Sequence, residues 1–157
     1  MNRPKHDAVI DPIEGFRMNT IKFFFLLLLV AGCSASKAEY ESIYWSDGDS
    51  GRLGETKFRL SNIDAPETGG VGAIGGAKCE HERELGFKAK AFMVGLTKDR
   101  RITITAEYGT DRYDRLVVDL SVDGADITKA AIAAGHLKPW PHKGRKQITK
   151  KPDWCSR

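Results

Sequence analysis

The chain has 157 residues, with 25 Lys and Arg against 21 Asp and Glu. That length is one domain with one modest core. The first 32 residues hold four of the basic and three of the acidic residues, so from Cys33 onward 21 minus 18 leaves a net charge of +3, too mild by itself to argue for a polyanion partner.

From Met18 the sequence reads MNTIKFFFLLLLVAGCSAS: Lys22, an apolar run from Phe23 to Val30, then small residues. This is the three-part layout of a secretory signal peptide, and the run falls short of the ~20 residues that a bilayer span needs. A buried core helix is the competing reading, against which stands the lack of any amphipathic period. Residues 1–32 therefore read as an export segment, with Met18 as a second candidate start, because Asp7, Asp11 and Glu14 are unusual ahead of a signal sequence. Val30-Ala31-Gly32-Cys33 resembles the lipobox of bacterial lipoproteins, whose cysteine becomes the lipidated first residue; cleavage after Ala35 or Ala38 is the alternative. The expected localisation is the periplasm or cell envelope of a bacterium. Cys33 would join the protein to a membrane through a lipid anchor, and residues 33–41 would be a polar tether to a domain over 42–157.

Three cysteines leave an odd one in an exported protein. With Cys33 lipidated, Cys79 and Cys155 remain to pair in an oxidising compartment. A metal site of Cys79 and His81 is the alternative, and no second pair of ligands has suitable spacing for it.

Ile43 to Trp45 starts a strand that meets the turn SDGDSG, and Thr56 to Ile63 is a second strand, stopped at Pro66. Thr68 to Lys78 is a glycine-rich loop. Glu80, Glu82 and Glu84 then load the first turn of a helix with acids, as its dipole favours, and Leu85, Ala89, Phe92 and Leu96 give it one apolar face as far as about Lys98. RITITAEY and LVVDLSV alternate apolar and polar residues and form a hairpin around GTDRYD. Asp123-Gly124 makes the next turn, and Ile127 to Ala134 is a short helix ended by Gly135. Short strands, hairpin turns and a central helix predict a small α+β barrel rather than a parallel sheet. After Gly135 come Lys138, Lys143, Arg145, Lys146, Lys150, Lys151 and Arg157 against the single acid Asp153; this basic end reads equally as a polyanion-binding surface or as a solvated tail.

Gly70-Val71-Gly72-Ala73-Ile74-Gly75 matches the dinucleotide fingerprint letter for letter, but no strand runs into it and no βαβ alternation surrounds it, so it reads as a mobile loop. Asp47-Gly48-Asp49 alone is more often a turn than a calcium loop, since the further acids of an EF-hand are missing. Neighbouring antiparallel strands could nevertheless bring Asp49 to Asp64 as oxygen ligands for a hard cation. In DRYDRL, Arg112 and Arg115 bracket Tyr113; surface arginines are usually just solvated, yet arginine grips phosphate and an adjoining ring can stack a base.

In this order, Asp-Gly-Asp-Ser, FRLSNIDAPE, a helix, DRYDRL and AAIAAGHLKPW resemble the staphylococcal nuclease (thermonuclease) family from about Ile43 to Trp140. The resemblance implies an OB-fold, a five-stranded Greek-key β-barrel with one long and one short helix packed on it. It implies a monomer that cleaves phosphodiester bonds of DNA and RNA with one calcium ion. Asp49 and Asp64 correspond to calcium carboxylates and the Ala65 carbonyl to a third ligand. Glu67 corresponds to the residue that activates or orients the attacking water, and Arg59 and Arg115 to the pair that holds the phosphate. Arg112 and Tyr113 match positions that contact a terminal phosphate, and Trp140 would stack a base. Asp114 stands where the family usually has glycine, and prolines 139, 141 and 152 leave no place for the family's long third helix; the Cys79–Cys155 bridge would fasten the tail instead. The rival is a nuclease-like barrel kept as a nucleic-acid-binding or scaffold module of the envelope. A retired site usually loses its polar residues, whereas Arg59, Glu67, Arg115, Asp49 and Asp64 are all present. A structural envelope lipoprotein with no catalysis would leave the five unexplained.

Overall fold

The computed structural model describes residues 39–40 and 42–156. The export segment, the lipobox with Cys33, and the tether up to residue 38 lie outside the described residues.

In chain order the strands are β1 (Glu39–Tyr40), β2 (Tyr44–Trp45), β3 (Ser50–Leu53), β4 (Thr56–Leu60) and β5 (Ile63–Asp64). Helix α1 (Glu80–Thr97) follows, then β6 (Ile102–Thr110), β7 (Leu116–Val122), β8 (Ala125–Asp126) and helix α2 (Ile127–Ala133). The C-terminal segment adds β9 (Lys138–Pro139), β10 (His142–Lys143) and β11 (Lys146–Gln147). The main sheet runs β1-β6-β7-β4-β3-β2, with β8 beside β7. It curls into a half-barrel carrying two helices, an α+β fold of the OB type. The five strands implied by the resemblance are β6, β7, β4, β3 and β2. Every pairing in this sheet is antiparallel except β4 with β7, where the chain returns through α1 and the β6–β7 hairpin.

Strand period makes the core. Phe58 and Leu60 of β4, Ile102 and Ile104 of β6, and Val118, Leu120 and Val122 of β7 all turn inward. Trp45 packs edge-on against Phe58 with ring centres 5.2 Å apart, and its Nε1–H donates to Thr97 Oγ1 at 3.0 Å, so the one polar atom that this indole buries is satisfied. The Asp123-Gly124 turn has φ of 49° and 84°, the left-handed pair that closes a tight hairpin. Asp126 caps α2 by accepting from the Thr128 and Lys129 amides.

Three elements differ from expectation. The strand expected over Thr56–Ile63 breaks at Asn62, whose φ of 54° turns β5 away from the sheet to pair with β9. Strand β3 begins at Ser50, inside the stretch SDGDSG that the residue pattern predicts as a turn. The buried face of α1 is carried by Glu82, Gly86, Ala89, Met93 and Thr97, one step round from the predicted stripe, whose Leu85, Phe92 and Leu96 are only partly buried. The glycine segment lies between β5 and α1 and closes on itself, with Gly72 N–H donating to Ala77 O at 3.0 Å; it neither follows a strand directly nor opens a helix. Cys79 and Cys155 are joined, across 76 residues of sequence. Among the described residues no helix is long and apolar enough to cross a membrane.

Candidate active site

The site lies where β4 gives way to β5 and the loop after it. Pro66 ends the extended run, and Glu67 follows against α1. That approach needs Gly86: a Cβ there would come within 2.5 Å of the Glu67 carbonyl oxygen, so only glycine lets the helix lie on this backbone. Gly48 serves the facing turn, where a Cβ would meet those of Ala65 and Ala89 at 2.9 Å. Asp47 shapes that turn by accepting from the Asp49 and Ser50 amides at 3.0 and 2.7 Å. It is a turn builder, and Asp49 is the acid turned toward the site.

Asp49 is 8% exposed and Asp64 1%. Ala65 donates its N–H to Asp49 Oδ2 at 3.3 Å, and Arg59 Nη2 stands 3.6 Å from the same oxygen. Ala65 thus touches Asp49 through its amide. Burial, then the charge of Asp47, pushes the Asp49 carboxyl well above the usual range; Asp64 adds to the rise, and Arg59 opposes it. Burial also raises Asp64, against hydrogen bonds from Trp154 and Lys151, and raises Glu67, against Lys151.

Three raised carboxyls fix a sign. Between the ordinary carboxylate pKa and the raised folded value the native chain binds more protons than the unfolded one, so stability falls as pH rises through that window. In the presence of chelator, Asp49→Asn should remove part of this fall. Urea unfolding followed from about pH 4 to 8 should show the variant gaining on wild type as pH rises; parallel curves would count against the raised Asp49.

The residues that the resemblance directs to phosphate form two groups. Arg59 donates to Ile63 O at 3.3 Å and lies 5.3 Å over the Trp140 ring, so Trp140 joins the carboxylate group. Trp140 is placed by its own N–H to Asn62 O at 2.8 Å, a consequence of the same Asn62 turn that frees β5. Arg115 lies on the β6–β7 hairpin, where its Nε and Nη2 donate to Asp111 Oδ2 at 2.9 and 2.7 Å. Burial raises the Asp111 carboxyl, but the hydrogen bonds from Arg115 and Tyr113 outweigh it and hold it below the usual range. The exposed Tyr113 ring lies beneath Arg112 at 4.7 Å and Arg115 at 5.3 Å. The parallel register sets Arg59 opposite Val117, and Arg115 stands two residues before Val117, at the start of the neighbouring strand β7. Asp114 has a φ of 58°, which explains why glycine suits this position and why aspartate is tolerated.

Two residues of the tail were not expected here. Trp154 donates its Nε1–H to Asp64 Oδ2 at 2.9 Å, and Lys151 Nζ lies 3.0 Å from Glu67 Oε1 and 3.3 Å from Asp64 Oδ1. Burial pulls the Lys151 ammonium down, but its hydrogen bond to Glu67 and the two negative charges hold it above the ordinary lysine range. The one signal in the sequence was the neighbouring Cys155, whose pairing with Cys79 draws the tail to the start of α1.

The model of the family described as staphylococcal nuclease homologues matches residues 57–150, more than half of the chain. The chain belongs to this family. No curated protein matches it. Within this staphylococcal nuclease homologue the match takes in Arg59, Asp64, Ala65, Glu67, Arg112, Tyr113, Arg115 and Trp140. Asp49 precedes it, and Lys151, Trp154 and Cys155 follow it. Among the described residues no three His, Cys, Asp or Glu side chains gather as a ready metal cage.

Proposed function

We propose that this protein is a calcium-dependent nuclease that hydrolyses phosphodiester bonds of DNA or RNA with low sequence specificity. On this reading it is exported and anchored at the cell envelope through Cys33. The observation that carries the proposal is the convergence of Asp49, Asp64, Glu67 and Arg59 at one strand end, with Arg115 entering the strand β7 that pairs with β4.

The donor set fits a hard divalent ion. Asp49 and Asp64 are both buried, and Asp49 accepts the amide of Ala65, the residue after Asp64; oxygen donors of this kind suit calcium. Asp49 and Asp64 would hold the ion, with the Ala65 carbonyl beside them. When bound, such an ion supplies positive charge to a phosphate oxygen and acidity to bound water.

The remaining work belongs to this chain's side chains. Arg59, braced by Asp49 and the Ile63 carbonyl, presents positive charge to the phosphate from the sheet. Asp111 engages two N–H groups of Arg115 and leaves three of the five free to meet phosphate oxygens. Glu67 is placed to accept a proton from water or to orient it, and its raised carboxyl makes it a better base than one in bulk solvent. The Tyr113 ring with Arg112, and the Trp140 ring, offer stacking and charge to the flanking nucleotides. The division suits phosphoryl transfer, where a protein mainly positions groups and stabilises charge.

The test is incubation of the purified protein with single-stranded DNA, duplex DNA and RNA, each with calcium or with chelator. Cleavage that needs calcium is the expected result. Nucleic-acid binding without cleavage in any condition would establish the binding-module alternative instead.

A further inference from the structure

The stretch from Lys151 to Cys155 supplies a partner to each oxygen of Asp64. Trp154, 5% exposed, takes Oδ2, and Lys151 stands at Oδ1 while also reaching Glu67. The stretch is pinned on both sides. Cys155 is bridged to Cys79 at the N-terminus of α1. On the other side Trp140 donates its Nε1–H to the Thr149 carbonyl at 3.1 Å. Lys138 adds a third hold, with Nζ 2.8 Å from the Asp153 carbonyl and 4.1 Å over the Trp154 ring. Lys151 is therefore no freely solvated lysine. Its backbone is held, and its side chain is 32% exposed between two carboxylates.

From this geometry we propose that Lys151 is a built-in competitor for the divalent cation. The inference rests on the reading of Asp49 and Asp64 as cation ligands. With no divalent ion bound, the ammonium compensates the buried Asp64 and the part-buried Glu67, which would otherwise sit close together as like charges. An entering divalent ion meets that ammonium at the same carboxylate, and two cations at one carboxylate repel. Whatever Lys151 contributes to the empty site must be overcome by the incoming ion, so the lysine sets the concentration at which the site fills. Because the strap is folded onto the site, the competitor acts at the high effective concentration of a tethered group.

The test is a calcium titration of the whole protein by isothermal calorimetry after removal of metal with chelator. Lys151→Gln should bind calcium about 10–100-fold more tightly than wild type. Lys151→Met, which keeps the apolar stem over the strap, should do the same, so a packing defect in one variant would not hide the result. Lys151→Arg retains the charge and should stay near wild type. Lys150→Gln removes the same charge from an exposed neighbour and should also leave the affinity unchanged. Equal or weaker binding by both neutral variants of Lys151 would overturn the proposal, as would equal tightening by Lys150→Gln. Should neither wild type nor the variants bind calcium, the reading of Asp49 and Asp64 would fall with it, an outcome distinct from wild-type binding that simply ignores Lys151.

Discussion

Alanine at Glu67 should lower the rate of DNA cleavage by about 10²–10³, and alanine at Arg115 should do the same. The size follows from what each group touches. Glu67 is fixed at its backbone by the close approach of α1 over Gly86 and at its carboxylate by Lys151, so removing it takes away a group whose position the fold has already restricted. Water can replace its basicity but not its placement. Arg115 is held along one edge by Asp111, and on the proposed reading its free edge would meet the substrate. Charge that builds on the phosphoryl oxygens during in-line attack is stabilised most by donors already aimed at it, so the loss should fall mainly on kcat, with KM changed far less. Arg115→Lys should rescue little, because a lysine ammonium cannot both donate to Asp111 and present a planar fork of donors to the phosphate. Tm of each variant should remain close to wild type, since Glu67 and Arg115 are partly exposed. Undiminished cleavage in both alanine variants would rule out the assigned roles.

How far these features can be read in sequence depends on how local their causes are. Strands β6 and β7 were legible because Ile102, Ile104, Val118 and Leu120 repeat with period two and face a single core. Strand β3 was not, because its Ser50-Gly51-Arg52-Leu53 shows no such repeat; its pairing with β2 and β4 is what makes it a strand. The face of α1 was misplaced by one step for a related reason. Its buried stripe contains Gly86, chosen by the Pro66–Glu67 backbone, and Glu82, whose carboxylate accepts the Lys78 amide at 2.7 Å. Neither residue type marks an interior. Asp64 and Glu67 could be singled out because Pro66 between them ends a strand. Lys151 and Trp154 could not, since their partners lie 84 and 90 residues away, and no local pattern brings them there.

The largest stability effect should come from the bridge that places those two residues. Replacing Cys79 and Cys155 together by alanine should cost about 4 kcal/mol, since the link closes a long loop of the unfolded chain. A domain of this size has only about 5–15 kcal/mol in total, so the variant should lie near the edge of folding. The loss should also be uneven. Phe58, Ile102, Val118 and Leu120 form the core without help from the tail, whereas Trp154 is held to the domain by the bridge, by one hydrogen bond to Asp64 and by the Lys138 ammonium over its ring. The strap should therefore release before the barrel unfolds. Far-ultraviolet circular dichroism would then keep its native shape under conditions where tryptophan fluorescence already reports an exposed Trp154. Urea titrations by both probes, on wild type with and without a dithiol reductant and on the double variant, would settle it. Coincident transitions at the wild-type midpoint would show that the bridge contributes little and that Trp154 seats itself unaided.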